Sequence, residues 1–241
     1  MSGNGYGAQF GPNFCKGGCR FLSTAEIATD AESFASGWYD GLAGNPNADL
    51  LLVIGVNSYG SGVTRQHGAA WAQMVADVAR VIAGTQYASR VHVIGGMDIE
   101  MGYDAPAAVG GWMSGYGSNN YVDFGNLEPG CEKKCGNGWS FSSVKMYGGS
   151  MFMPEVYSPG GAKVWAQFAH YNGNTLNIVA PLSELTACRQ KSIISNVCKG
   201  IDYTPESSWT QLAVDLLKYE PPSTVAAIGP ATNIEWHYIQ P

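Results

Sequence analysis

Apolar runs of strand length alternate with amphipathic helical segments along this chain, and this alternation constrains its fold most strongly. Eight strand-like segments are present, at 6–11, 49–57, 90–100, 121–126, 144–149, 163–171, 176–182 and 224–236. Most lack the strict polar–apolar alternation of a half-exposed strand. This pattern predicts strands that are covered on both faces, as in a parallel sheet.

Helix signals occur between several of these runs. The segment STAE at 23–26 has the pattern of a capping box, and apolar residues recur at helical spacing over 63–83. A third helix is predicted near Asp104 with Pro106 in its first turn, and a last one after Thr204-Pro205. The chain is therefore expected to be built from strand–helix units.

Such units predict an α/β fold with a mainly parallel sheet. Eight strands in 241 residues suggest a distorted (β/α)8 TIM-like barrel that occupies 1–241 as a single domain. Strands follow one another closely between 144 and 182. We therefore expect loops to replace one or two of the helices there.

Charge and hydropathy exclude some classes of protein. Charged residues make up 13% of the chain, the formal net charge is −6, and the 13 Lys and Arg are scattered, so nucleic-acid binding is not expected. No apolar run is long enough for a membrane span. Residues 1–10 lack the charged start and apolar stretch of a signal peptide, so we expect a removed leader or another export route. The sequence does not indicate an oligomeric state.

Six cysteines form three sequence-local pairs, and their loop-like surroundings favour disulfides. The pairs are Cys15 with Cys19, Cys131 with Cys135, and Cys188 with Cys198. Disulfides that staple loops indicate an oxidising, extracellular compartment. A zinc site is the competing interpretation, because CKGGC and CEKKC have loose metal-ligand spacing, although no histidine lies near either.

The candidate catalytic pair lies in the segment RVHVIGGMDIEMGYD at 90–104, where a buried strand ends in Asp98 and Glu100. Residues two apart on a strand point to the same face, with Cα atoms about 6.6 Å apart. Two carboxylates this close do not ionise independently, so one pKa should rise, as a proton donor requires. A structural role, as a turn cap or as a partner of Arg90 or Arg65, is the alternative.

Active sites of barrels lie at the carboxyl ends of the strands, so other polar and aromatic residues near those ends are candidates. Glu155 is a second catalytic candidate, although Pro154-Glu155 is also consistent with a loop. Flat aromatic rings suit the faces of sugars. The predicted substrate-binding residues are Asn57, Tyr59, His67, Tyr103, Trp112, Asp123, Asn126, Tyr147 and Gln167.

The stretch VIGGMDIE resembles the strand-end Asp-x-Glu of barrel-type N-acetylmuramidases. It also resembles the tail of the Asp-x-x-Asp-x-Asp-x-Glu motif of family 18 chitinases, where Asp98 and Glu100 match but Val93 and Gly96 occupy the first two acid positions. The resemblance implies cleavage of an amino-sugar polymer by carboxylate chemistry.

A longer likeness covers roughly 49–188. The blocks GVNSYG…HGAAWAQMV, GGMDIEMGY, W…GYG, DFGN…GC…C…GW, MPEVY and WAQF follow in the order seen in a group of uncharacterised secreted bacterial proteins described as glycoside-hydrolase-like. This resemblance implies a TIM-barrel fold and an extracellular location.

Two functional hypotheses follow. In the first, the chain is a secreted hydrolase of peptidoglycan or a chitin-like polysaccharide, with Glu100 as general acid, Asp98 as its partner and Glu155 as a reserve nucleophile or base. This chemistry requires no metal and no cofactor. In the second, the barrel is a non-catalytic carbohydrate-binding or structural surface protein.

Overall fold

The computed structural model describes residues 6–10, 20–45, 47–59, 62–173, 176–183, 185 and 203–233. These residues form eight strands: β1 Gly7–Phe10, β2 Arg20–Ser23, β3 Leu50–Asn57, β4 Val91–Asp98, β5 Val122–Asp123, β6 Met151–Phe152, β7 Leu182–Ser183 and β8 Thr232–Asn233. They also form seven helices: α1 Thr24–Gly41, α2 Arg65–Ala83, α3 Pro106–Tyr116, α4 Phe141–Tyr147, α5 Pro159–Tyr171, α6 Pro205–Leu216 and α7 Pro222–Ala226.

A parallel four-stranded sheet in the order β3-β4-β5-β6 forms the centre of the fold and confirms the α/β prediction. Strands β3 and β4 pair over their full length, from Leu50 with Val91 to Asn57 with Asp98. Parallel bridges link Phe152 with Ile178 and Glu155 with Leu182, and β7 pairs with β8. Within the part of the chain described, no pairing joins β8 to β3, so the closed barrel remains a prediction.

The strand predictions at 144–149 and 163–171 are wrong, because these segments lie largely in α4 and α5. In α5 the buried residues are Ala162, Val164, Trp165, Ala166, Phe168 and Ala169, which form a broad helical face. An apolar run that is buried on most sides has the same composition in a helix as in a covered strand. The segment 224–236 likewise includes the end of α7 before β8 begins.

The predicted helix starts are confirmed by their caps. At α1 the Glu26 backbone N–H donates to Ser23 Oγ (3.3 Å), and the Ser23 backbone N–H donates to Glu26 Oε2 (2.9 Å), which is a complete capping box. Thr204 accepts from the Ser207 backbone N–H at α6 (3.2 Å), and Pro205 occupies the first turn. These bonds satisfy amide groups that a helix start leaves unpaired.

Helices α2 and α3 pack unusually closely because glycines lie at their contact. A Cβ atom on Gly68 would lie 2.0 Å from the Trp112 carbonyl oxygen, and one on Gly115 would lie 1.8 Å from the Arg65 carbonyl oxygen. Any side chain at these positions would force the helices apart. This close approach brings His67 of α2 against Trp112 of α3.

His67 and Trp112 form a buried polar connection between three elements. Trp112 Nε1 donates to His67 Nδ1 (3.0 Å), and His67 Nε2 lies 3.0 Å from the Gly7 carbonyl oxygen on β1. With Nδ1 accepting, the ring proton is on Nε2 and donates to Gly7. Burial lowers the pKa of His67, which favours this neutral form. The imidazole therefore ties β1 to the α2–α3 pair.

The core packs beneath and beside the sheet and contains four fully buried tryptophans, Trp71, Trp112, Trp139 and Trp165. Trp71 Nε1 donates to the Ile54 carbonyl oxygen (2.9 Å), which fixes α2 against β3. Among the helices described, none has the length and apolar character needed to cross a membrane.

The substitution His67→Leu should lower the free energy of unfolding by about 2–4 kcal/mol, because it leaves the buried Trp112 N–H and the Gly7 carbonyl without a partner. Urea denaturation followed by circular dichroism measures the change. The matched control is His92→Gln on β4, an exposed histidine that should be neutral. Equal effects of the two substitutions would contradict the structural role of His67.

Candidate active site

Three carboxyl groups meet beyond the carboxyl ends of β4 and β6. Asp98 is the last residue of β4, Glu100 follows two residues later, and Glu155 lies three residues after β6. One oxygen of each lies within 4.8 Å of the others. Strands β4 and β6 both pair with β5 in parallel, so their carboxyl ends lie at the same edge of the sheet. The structure thus places the three predicted catalytic residues together.

Glu100 is held from two sides by residues that follow neighbouring strands. Asn126 Nδ2 donates to Glu100 Oε2 (2.8 Å), and the Glu100 backbone N–H donates to Ser58 Oγ (3.2 Å). The Ser58 backbone N–H in turn donates to the Asp98 carbonyl oxygen (2.8 Å). These bonds fix both the backbone and the side chain of Glu100.

Glu155 and Glu100 are joined by a side-chain hydrogen bond in which Glu155 is the donor. Burial raises the pKa of Glu155 well above its ordinary value, and the charges of Asp98 and Glu100 raise it further, while a hydrogen bond from Tyr157 opposes them. Burial also raises the pKa of Glu100, an effect that the bond from Glu155 reduces and the charge of Glu128 increases. These effects favour a protonated Glu155 that donates to Glu100.

Asp123 of β5 is a fourth carboxyl group, buried beneath this cluster at 2% exposure. Burial raises its pKa to about 7, the charge of Glu100 adds to the rise, and hydrogen bonds from the Gly125 and Ile99 backbone N–H groups oppose it. The Gly125 N–H lies 3.1 Å from Asp123 Oδ1. These bonds shape the turn that leads from β5 to Asn126. We assign Asp123 a supporting position rather than substrate contact.

A disulfide-bonded loop holds the segment that follows Glu100. Cys131 and Cys135 are bonded, with Cα atoms 4.8 Å apart, which excludes a zinc role for this pair. The Asn137 backbone N–H donates to the Met101 carbonyl oxygen (2.9 Å), and Trp139 Nε1 donates to the Asp104 carbonyl oxygen (2.8 Å). Trp139 is completely buried. The loop thereby fixes the path of 101–104 next to the acids.

Two predicted substrate-binding aromatics, exposed Tyr59 and half-buried Tyr103, contact each other. The rings of Tyr59 and Tyr103 meet edge to face with centroids 5.1 Å apart, and Tyr59 is 62% exposed. Asn57 Oδ1 accepts from the Tyr59 backbone N–H (3.2 Å), which closes the turn after β3. Both tyrosines lie within three residues of a cluster member or of Ser58 along the chain. This pair is available to contact a ligand.

Four other residues that were predicted to contact substrate lie on helices. His67 and Trp112 are buried and bonded to each other. Tyr147 closes α4, and its ring packs where a Cβ atom on Gly110 of α3 would lie. Gln167 lies on helix α5 rather than on a strand. Trp112 lies inside α3 rather than in a loop.

The structure bears on the predicted partner of Arg90 but not on the other four cysteines. Arg90 bonds Asp49 (2.8 Å) rather than Asp98 or Glu100. Cys15, Cys19, Cys188 and Cys198 lie outside the described residues. Ser58 and Tyr157 hold cluster members through hydrogen bonds and were not predicted to do so. Their positions, directly after β3 and two residues after Glu155, are the only sequence signals for them.

The oxygens of Asp98, Glu100 and Glu155 are close enough together to hold one divalent cation as an alternative to the proton. Carboxylate oxygens are the ligands that hard cations such as Ca²⁺ and Mg²⁺ prefer. The same three groups therefore support either acid–base chemistry or cation binding.

Comparison of the chain with protein-family models, with curated proteins and with solved structures found no match.

Asp123→Asn should make stability less dependent on pH. An unfolded aspartate loses its proton near pH 3.8 and folded Asp123 near 7, so between these values the unfolded state binds fewer protons. The contribution of Asp123 is complete below 3.8 and is lost as the pH rises through 7. Between pH 5 and 8 the loss is roughly 3 kcal/mol, and the variant should lack it.

Urea denaturation of both proteins at pH 5 and pH 8 measures this difference. Asp40→Asn, at an exposed position on α1, is the control and should leave the pH dependence unchanged. An Asp123→Asn protein with the pH dependence of the wild type would show that Asp123 is ionised in the fold.

Proposed function

We propose that this protein is a secreted glycoside hydrolase that cleaves a polysaccharide, either peptidoglycan or a chitin-like polymer, on a distorted (β/α) barrel. The observation that carries the proposal is the cluster of Asp98, Glu100 and Glu155, whose oxygens lie within 4.8 Å of one another. Glycosidic cleavage requires one protonated acid at the leaving oxygen and one anion near the sugar carbon. The raised pKa of Glu155 beside two other carboxyl groups supports such a division of roles.

The roles follow from exposure and hydrogen bonding. Glu155 is only 8% exposed, whereas Asp98 and Glu100 are partly exposed. Glu100 is therefore the group that meets the glycosidic oxygen, and Glu155 supplies the proton to it through their hydrogen bond. As Glu100 protonates the leaving oxygen, Asp98 attacks or stabilises the developing positive charge on the sugar carbon. Asn126 keeps Glu100 oriented during this transfer.

The surroundings of the cluster support a sugar substrate and an extracellular location. Exposed Tyr59, packed against half-buried Tyr103, offers apolar ring surface one residue from Ser58, which suits the face of a pyranose. The disulfide between Cys131 and Cys135 is consistent with an oxidising compartment. The likeness of VIGGMDIE to the strand-end motif of N-acetylmuramidases supports an amino-sugar polymer as substrate.

Glu100→Gln should abolish hydrolysis, because it removes the proton donor while preserving the shape of the side chain. We expect a fall of about 10²–10⁴-fold in the rate of reducing-end release, the usual contribution of a general acid. The assay incubates the purified protein with insoluble peptidoglycan and with chitin. Glu132→Gln, an exposed acid in the disulfide loop, is the matched control and should keep full activity.

The same assay distinguishes the alternatives. Full activity of Glu100→Gln on a polymer that the wild type cleaves would refute the role of Glu100. Absence of release, with wild type and variant both sedimenting with one polymer, would identify a carbohydrate-binding protein. Activity that EDTA removes and Ca²⁺ or Mg²⁺ restores would assign the three carboxylates to a cation instead of a proton.

The separation of the acids predicts the stereochemistry of the product. Retaining glycosidases hold their two carboxyl groups about 5–5.5 Å apart, whereas inverting ones leave about 6.5–9.5 Å for a water molecule. Oxygens of Asp98 and Glu100 lie within 4.8 Å of each other, a separation closer to the retaining class, so we expect retention. Proton NMR of the first product formed should show the anomer of the substrate. Initial formation of the opposite anomer would exclude Asp98 as the nucleophile.

A further inference from the structure

A second buried carboxyl group, that of Glu220, lies outside the acid cluster. Glu220 follows α6 and is 5% exposed, and its backbone N–H donates to the Leu216 carbonyl oxygen (2.8 Å). Neither of its carboxyl oxygens has a hydrogen-bond partner among the residues that the structure describes. Within the described residues no ion pair reaches it: the ring of His170, whose charge lowers the pKa of Glu220, stacks on Tyr219.

Glu220 lines a cavity of about 100 Å³ between α5, the segment 176–178, the end of α6 and α7. Ala169, Leu216 and Ile228 provide apolar wall, and Asn177 and Thr224 are its polar lining residues. The cavity is separate from the acid cluster along the chain. Glu155 lies level with Leu182, whereas the cavity uses residues 176–178 of the same segment.

A carboxyl group without partners is unfavourable in such a place. Leaving a buried polar group unsatisfied is costly, and leaving a charged group unsatisfied costs more. A cation that pairs with Glu220 in the cavity would offset this penalty, against the loss of the cation's own hydration. Burial raises the pKa of Glu220, because removal from water disfavours the charged form of the carboxyl group.

The walls indicate what kind of cation fits. Hard cations such as Ca²⁺ take six or more oxygen ligands, and the cavity offers mostly apolar surface. A volume of about 100 Å³ is smaller than the roughly 150 Å³ cavity that holds benzene. We propose that this cavity is a binding site for a small organic cation, a primary alkylammonium with a short carbon chain. The ammonium group pairs with Glu220, and the carbons lie against Leu216 and Ile228.

The test is a titration of the ¹⁵N-labelled full chain with n-propylammonium chloride at pH 8, at ionic strength held constant with NaCl. Saturable shifts should appear at the amides of Thr224, Ala227 and Ile228, with a dissociation constant in the millimolar range, since the probe has about four heavy atoms. The neutral probe 1-propanol, which has the same size and shape, should bind at least tenfold more weakly.

Two variants test separately the charge of Glu220 and the volume of the cavity. Glu220→Gln keeps the shape of the side chain and should weaken binding at least tenfold. Ala227 is an exposed residue that lines the cavity. Ala227→Leu keeps the carboxyl group of Glu220 but fills the cavity, and it should also abolish the shifts. Asp30→Asn, on the exposed surface of α1, should bind the probe as the wild type does.

Several results would overturn the proposal: no saturable shift, equal shifts with 1-propanol or with NaCl alone, or unchanged affinity in Glu220→Gln. The experiment involves no hydrolysis, so its outcome is independent of the function proposed for Asp98, Glu100 and Glu155.

Discussion

Three carboxyl groups whose oxygens lie within 4.8 Å remain together in a folded chain only when protons or cations offset their repulsion. Two like charges about 4 Å apart repel by roughly 4 kcal/mol at the effective dielectric constant of a protein surface. The proton on Glu155 removes part of this repulsion and turns it into a hydrogen bond to Glu100. Asn126 then donates to the remaining Glu100 oxygen. The negative charge of the cluster thus explains why Asn126 donates a hydrogen bond to it.

The parallel sheet is what brings these groups together. Strand β4 is eight residues long and pairs with β3 along its whole length. Asn57 and Asp98, the last residues of the two strands, therefore lie side by side. Strands β5 and β6 contribute only two residues each to the ladder. Their short length leaves Asn126 and Glu155 in the segments just beyond the sheet, while Asp123 is the last residue of β5. Side chains on such segments face the end of the strands, where substrates reach them.

The sequence predicted the parts of the fold that carry strong local signals. Helices α1 and α6 begin at recognisable caps, and β3 and β4 are long apolar runs, so both kinds of element were predicted near their true bounds. Two-residue strands such as β5 and β6 leave no periodic pattern. The interior of α5 resembled a covered strand in composition, and this error placed Gln167 at a strand end.

The site was predictable to the extent that it follows from strand ends. Asp98 and Glu100 follow the clearest strand directly, and Asn126 follows a shorter one. The proton position was not predictable, because it depends on the burial of Glu155 and on a contact between residues 55 positions apart. Trp112 was predicted to bind ligand as one of the aromatic residues near the strand ends, and Gly110 and Gly111 precede it. Those glycines belong to a helix that packs closely on its neighbours, which buries the indole.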